Sequence, residues 1–291
     1  MESPPDCRTG SSRLDFPKTR KDIVMGKRGR KTSAIWRAVF AAGVAMLIGL
    51  TANPVMSAEG VNPEADEILR SMSVYLAGLP AFSVTGDVDN EIIDQDGQKL
   101  QWSSFATLIV ERPGKLYLTR KGAFADVTLI FDGKTLTLHS KKPNVYAQLE
   151  SPGTIDDAIR NLESETGLDL PGADLLFSDP YAILASGVLS SAYLGVGYVN
   201  GIECHHLAFR KAKVDWQLWV QVGDAPLPMK YIITTKWMTG APQYALRLRD
   251  WNTKPQIEAN RFTFSAPEGA RRLETIPVSE TGEIMIEEGQ Q

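Results

Sequence analysis

Cys204-His205-His206 is the stretch whose residue types come closest to a nucleophile beside its base. A thiol attacks as the thiolate and needs a neighbouring group to take its proton, a task that histidine performs well. The flanking residues from Ile202 to Phe209 alternate as a β-strand does. On a strand, Cys204 and His205 point to opposite faces, while Cys204 and His206 share one at two-residue spacing. No Asn or Asp in a recognisable setting orients either imidazole, so the expected role of Cys204 is a small buried apolar residue. Metal binding meets a similar obstacle. The third histidine, His139, is remote in sequence, and a closed site would need carboxylates from distant strands. Gly195-Val196-Gly197 has Asn200 where a dinucleotide fingerprint requires glycine, and no G-x-S-x-G elbow occurs. Asp156-Asp157 reads as favourable charge at a helix start. We therefore expect no catalytic residue, no metal site and no cofactor.

The remaining candidates are apolar, and the elements that would carry them are mostly strands. Val199 to Trp237 reads as three consecutive antiparallel strands, Ile202 to Phe209, Val214 to Val222 and Met229 to Trp237. In the second, Val214, Trp216, Leu218, Val220 and Val222 alternate with polar residues and Trp219, giving one nearly unbroken apolar face. Upstream, strand patterns run from Phe82 to Leu149, with turns roughly every ten residues, the spacing of an all-β barrel or sandwich. Asp132-Gly133 is the clearest hairpin signal among them. Downstream follow Ser190 to Val199, Gln243 to Trp251 and a short strand at Arg261 to Phe264. Three helices are expected. Asn62-Pro63 starts one that ends at Gly78, Thr154 caps another that ends at Gly167, and Asp179-Pro180 opens a third over Tyr181 to Ser186. Helices between two β-meanders cover an open sheet face.

The fold expected is thus mainly β with helices, one curved antiparallel sheet whose interior is incompletely filled. Ligand-contacting positions are assigned to Phe82, Val84, Trp102, Leu116, Leu129, Trp216, Leu218, Tyr231, Trp237 and Trp251. Ile155, Ile159, Leu162, Tyr181 and Leu184 are assigned to a covering lid. Arg120, Arg247 and Arg249 are the strand arginines that could meet an anionic head group.

Residues 1–58 have the layout of a secretory leader with an N-terminal extension. Lys27-Arg28-Gly29-Arg30-Lys31 precedes an apolar run from Ile35 to Leu50, and small residues end at Ala58. An uncleaved anchor is the alternative, although the apolar run is short for a bilayer. That segment holds ten Lys/Arg and four Asp/Glu out of 31 and 35 in the chain, so its removal takes the net charge from −4 to −10. An acidic exported protein suits neither phosphate backbones nor anionic surfaces, which argues against nucleic acid as a partner. Only Cys204 of the 2 cysteines follows the leader, so no internal disulfide is expected. The domains expected are 1–58, a half-barrel at 59–274, and an acidic disordered tail at 275–291.

Four motifs, Gly201 to Phe209, Asp215-Trp216-Gln217-Leu218-Trp219, Pro226-Leu227-Pro228 and Asp250-Trp251, together resemble a bacterial family of predicted periplasmic proteins, domain of unknown function 2092. The resemblance covers roughly Pro63 to Arg271. That family is grouped with the lipoprotein carriers LolA and LolB. The grouping implies a half-open antiparallel barrel lidded by helices, with an apolar cavity for acyl chains. The carriers' lid-locking arginine cannot be placed on any one residue here. The reading favoured is a periplasmic, non-enzymatic carrier of an apolar or lipid-like ligand. A lipoprotein or another envelope protein is the further partner, with transient membrane contact. The alternatives are an envelope interaction or stress-sensing module using the open sheet face, and a hydrolase built on Cys204 or a histidine.

Overall fold

A computed structural model describes residues 60–276, apart from 124–125 and 168–169. The expected leader, the anchor alternative and the tail beyond Ile276 lie outside the described residues. The elements follow the chain as α1 (Pro63–Ala77), β1 (Ala81–Ile93), β2 (Lys99–Glu111), β3 (Lys115–Gly122), β4 (Asp126–Phe131), β5 (Thr135–Ser140) and β6 (Val145–Glu150). Then come α2 (Ile155–Thr166), a 3₁₀ turn (Ala173–Leu176), α3 (Pro180–Ala185), β7 (Ser190–Val199), β8 (Ile202–Arg210), β9 (Val214–Gln221), β10 (Pro228–Thr235), β11 (Gln243–Asn252) and β12 (Arg271–Leu273).

All strands of the described residues join one open sheet of 12 in the order β12-β6-β5-β4-β3-β2-β1-β11-β10-β9-β8-β7. It is antiparallel except where β12 lies parallel to β6. Local turns build two meanders, β1 to β6 and β7 to β11, and β11 closes back on β1. This order leaves β6 near one edge and β7 at the other. The chain between them must cross the whole width of the sheet, and α2, the 3₁₀ turn and α3 lie in that crossing. The same inner face thus receives the helices, and a single core cluster joins them to both meanders. The result is a mainly β half-open barrel covered by helices.

The helix starts are made by the residues that sequence rules select. Asn62 Oδ1 accepts from Ala65 N at 2.9 Å with Pro63 following. At α2, Thr154 N donates to Asp157 Oδ2 at 2.8 Å while Asp157 N donates to Thr154 Oγ1 at 3.3 Å, a reciprocal capping box. Gly167 ends α2 at φ 69°, where a side chain would be strained.

Two expectations fail. Arg261-Phe262 ends a turn and Thr263-Phe264 is irregular, so no strand forms there, and the final strand is β12 instead. The third strand of the Val199 to Trp237 region stops at Thr235, and Trp237 sits in the turn beyond it with 69% of its surface exposed. Lys236-Trp237-Met238 carries apolar letters past the point where pairing with β11 ends, so alternation alone misplaces the boundary.

Candidate functional site

The pairing register lays inward-facing residues of the first meander in rows across the strands. The first row is Phe82, Val110, Leu116, Phe131 and Leu136; the second is Val84, Leu108, Leu118, Leu129 and Leu138; the third is Gly86, Ala106, Arg120, Val127 and Ser140. Every member of the first row is buried. In the second, Leu108, Leu118 and Leu129 are only half-buried, although they lie mid-sheet on the inner face. In the third, Ala106, Arg120 and Val127 are half-buried as well. The sheet's own side chains therefore leave space over the second and third rows that the first row does not have.

That space is a cavity of about 290 Å³. Rows one to three, apart from Val110 and Ser140, form its floor together with Val88 one row further along β1. Ile155, Ala158, Ile159 and Leu162 of α2 and the connector from Leu170 to Leu176 form its roof, with Leu246, Leu248 and Trp251 of β11 as a side wall. Trp251 reaches the inner face because of a bulge. Three residues of β11 span the pairing of Arg249 with Thr85 and Asn252 with Ser83, and Asp250 takes φ 55°. The extra residue turns Trp251 away from the side of Arg249 and onto Phe82, 5.5 Å between ring centroids, with its Nε1 donating to Pro228 O at 3.1 Å.

The roof is held at its connector. Arg112, just past β2, donates from Nη1 to Leu176 O at 2.8 Å. Asp156 accepts from both Ser178 N at 2.8 Å and Ser178 Oγ at 2.7 Å. Burial lowers the pKa of the Arg112 guanidinium, and the nearby Asp156 carboxylate works the other way. Gly172 has φ 89°, and a Cβ there would lie 3.3 Å from Leu246 Cδ2, so the connector passes close over β11.

Of the residues assigned from sequence, Phe82, Val84, Leu116, Leu129 and Trp251 line this cavity, as do Ile155, Ile159 and Leu162. The others do not. Trp216, Leu218 and Tyr231 lie in the filled half of the core, where α1 packs over β8 and β9. Trp216 stacks on Phe209 at 3.9 Å and meets the Tyr231 ring edge-on. The Tyr231 hydroxyl donates to Asp174 Oδ2 at 3.2 Å, and burial holds that hydroxyl protonated well beyond its ordinary range. Tyr181 and Leu184 seat α3 on α1: Tyr181 donates to Asp66 Oδ1 at 2.7 Å beneath the Arg70 guanidinium. Trp102 falls one row beyond Val88, the last residue of β1 that lines the cavity, and stands opposite Asn90. Trp237 is the exposed turn residue described above. Of the strand arginines, Arg120 lines the cavity, Arg247 is exposed, and Arg249 pairs with Asp87.

Sequence reading missed Leu108, Leu118, Leu246 and Leu248, which the alternation beside Val110, Leu116 and Leu129 could have supplied. It also missed Leu170 to Leu176, whose connector carries no periodic signal.

The Cys204 cluster holds no catalytic arrangement. Its thiol is fully buried against Val199, Leu227 and Met229, donates to Ile202 O at 3.4 Å, and is pushed up in pKa by burial. His205 turns inward to the Tyr193 hydroxyl at 3.0 Å. His206, on the other face, stacks on Trp219 and meets Gln217 Oε1 at 2.9 Å. Among the described residues no group of three or more His, Cys, Asp or Glu is placed to hold a metal ion.

Residues 65–276 match the family described as predicted periplasmic protein (DUF2092). The chain belongs to that family. No curated protein matches it. Solved structures similar to this member of the family include an uncharacterized conserved protein from Thermus thermophilus, at 10% identity over 72% of this chain and 99% of that one, with a TM-score of 0.44. Lipoprotein LppX of Mycobacterium tuberculosis matches at 13% identity over 68% and 100%, TM-score 0.40. A LolA superfamily protein from Nitrosomonas europaea matches at 10% over 69% and 97%, TM-score 0.36. With TM-scores below 0.5, none of these likenesses bears on what the family member binds. Among its described residues, no helix is long and apolar enough to cross a membrane.

Proposed function

We propose that this chain is an exported, non-enzymatic binding protein that holds one apolar chain of a lipid-like ligand between β1 to β5 and the α2 roof. Its working part is the half-barrel at 59–274, delivered to the periplasm by a leader within 1–58. The observation that carries this reading is the half-buried second row, Leu108, Leu118 and Leu129, facing a 290 Å³ space that its own roof does not fill. An apolar cavity of about 150 Å³ takes up a benzene ring, so a space of this size accommodates roughly ten carbons. Burying ten methylenes contributes roughly 8 kcal/mol, enough for micromolar affinity before ordering costs are subtracted. An apolar pocket alone therefore suffices for a carrier, and the Cys204 setting, buried and protonated, supports a non-enzymatic role. Phe82, Val84, Leu116, Leu129 and Trp251 would contact the chain, with Ile155, Ile159 and Leu162 above it.

Titration with a fluorescent fatty acid tests this. Saturable binding at one site per chain, displaced by an unlabelled fatty acid, is the expected result; absence of saturable uptake counts against the proposal. A second reading, an envelope interaction module, draws on β7. This strand is an outer edge of the sheet and exposes Leu194, Val196 and Tyr198. Recovery of a stoichiometric protein partner from envelope extracts, without lipid, would favour that reading.

A further inference from the structure

We infer that the end of the second meander at Trp237 is a docking surface for a phospholipid bilayer that carries anionic head groups. This goes beyond the carrier reading and does not depend on it, because none of the residues concerned lines the cavity. Two turns meet at this end, β8 to β9 through Lys211-Ala212-Lys213 and β10 to β11 through residues 236–242. The pairing of Thr235 with Val214 sets them side by side. Trp237 is 69% exposed and Met238 is 41% exposed. The turn's own bonds hold both side chains out: Ala241 N donates to Met238 O and Thr235 N donates to Pro242 O, each at 3.0 Å. An indole has an apolar body and one N–H donor, a combination that settles at the level of lipid head groups.

The charges around Trp237 select the kind of lipid. Lys236 N donates to Lys213 O at 3.0 Å and Lys236 Nζ donates to Lys211 O at 2.6 Å, so the two turns are tied together and their cations converge. Arg210, at the end of β8, and Lys213 are both exposed. Asp215 pairs with Lys236 at 2.8 Å and with Arg210 at 3.5 Å. Burial lowers the pKa of Lys211, and the Asp174 carboxylate works the other way. Four cations therefore meet two carboxylates, in a chain whose net charge is negative. The acidic hairpin of β1 and β2 lies on the other side of the Trp237 turn, where a Cβ on Gly240 would stand 2.7 Å from Ile93 Cδ1. In that hairpin, Asp94 Oδ1 is engaged by the backbone of its own turn, accepting from Asp96 N and Gln98 N. The side offered to lipid is thus the one toward β8 and β9, and its charge complements an anionic surface, not a zwitterionic one. Asp174 belongs to the 3₁₀ turn that roofs the cavity, so this surface adjoins the roof.

Vesicle flotation with the protein isolated from the cell envelope tests the assignment. Vesicles of phosphatidylethanolamine with phosphatidylglycerol should bind roughly 10- to 100-fold more tightly than vesicles of phosphatidylcholine, and about 0.5 M salt should remove most of that preference. Arg210→Gln together with Lys213→Gln should weaken binding to the anionic vesicles by roughly tenfold or more. Trp237→Ser should weaken binding to both kinds of vesicle by roughly tenfold. Brominated lipid should quench the tryptophan fluorescence of the unaltered protein more than that of Trp237→Phe. Thermal melting checks that the variants fold; if one does not, the comparison of the two kinds of vesicle on the unaltered protein still decides. Equal binding to both kinds of vesicle, or undiminished binding by a folded Trp237→Ser, overturns the inference. Failure to bind either kind also overturns it and leaves the surface to a protein partner. The carrier reading is judged separately by fatty-acid titration, so the two can fail independently.

Discussion

Filling the cavity from its roof separates empty space from mere loose packing. Ala158 lies on α2, 4% exposed, with its methyl facing the cavity. Ala158→Phe adds six carbons to a space that holds roughly ten. If the ring occupies the ligand's place, about six methylenes of contact are lost, or roughly 5 kcal/mol at 0.8 kcal/mol each. That corresponds to a loss of affinity of roughly several thousandfold. Stability should move the other way or not at all, because the new side chain enters a void and meets Leu118 and Leu129 instead of displacing them. Overpacking of a filled core costs about 1–3 kcal/mol. The assay is paired: fatty-acid titration for affinity and urea unfolding for stability. Undiminished binding places the ligand elsewhere. A loss of stability at or above about 3 kcal/mol means that the space is not there. Either result refutes the reasoning.

Other outcomes follow from the same structure. Arg112→Met removes the bond to Leu176 O, so amide exchange over 173–177 should quicken, with roughly 1–3 kcal/mol lost from local opening; protection equal to that of the unaltered chain would dismiss Arg112 as the fastening of the roof. Cys204→Ala should leave fatty-acid uptake unchanged, and the native thiol should label more slowly than a free cysteine at pH 8, since burial raises its pKa; abolished uptake in a folded variant would reopen a role for the thiol. His206 has its pKa lowered by burial, against the bond to Gln217, with Lys230 acting in the same direction as burial. A depressed folded-state pKa means that the unfolded chain takes up the proton first, so stability is present above about pH 6.5 and is lost as pH falls through the folded-state value. Urea midpoints for the unaltered protein and His206→Gln should differ more at pH 7.5 than at pH 5, and an equal difference at both would contradict this.

Much of the architecture was legible because local signals and tertiary fate agree. Asn62-Pro63, Thr154 and Asp179-Pro180 act as helix starts in the folded chain as they read in the sequence, and Asp132-Gly133 turns β4 into β5. Period-two alternation identifies which residues share a face, but not which part of that face the helices fill. Trp216, Leu218 and Tyr231 alternate as cleanly as Leu108, Leu118 and Leu129 do. The first set is covered by α1 and the second is left half-open, and that depends on a crossing between distant edges which no local pattern encodes. Trp251 shows the other limit. Plain alternation puts it on the side of Arg249, and only the bulge at Asp250 brings it inward. Parallel pairing of β12 with β6 joins segments far apart in sequence, and three residues are too few to announce a strand.

The central claim is that the space above Leu108, Leu118 and Leu129 belongs to a ligand. Native mass spectrometry of the protein isolated gently from the cell envelope tests it most directly. The account predicts a mass excess of one small amphiphile per chain, recovered by solvent extraction and absent from Ala158→Phe. A bare protein mass that acquires no adduct on incubation with fatty acids would contradict it.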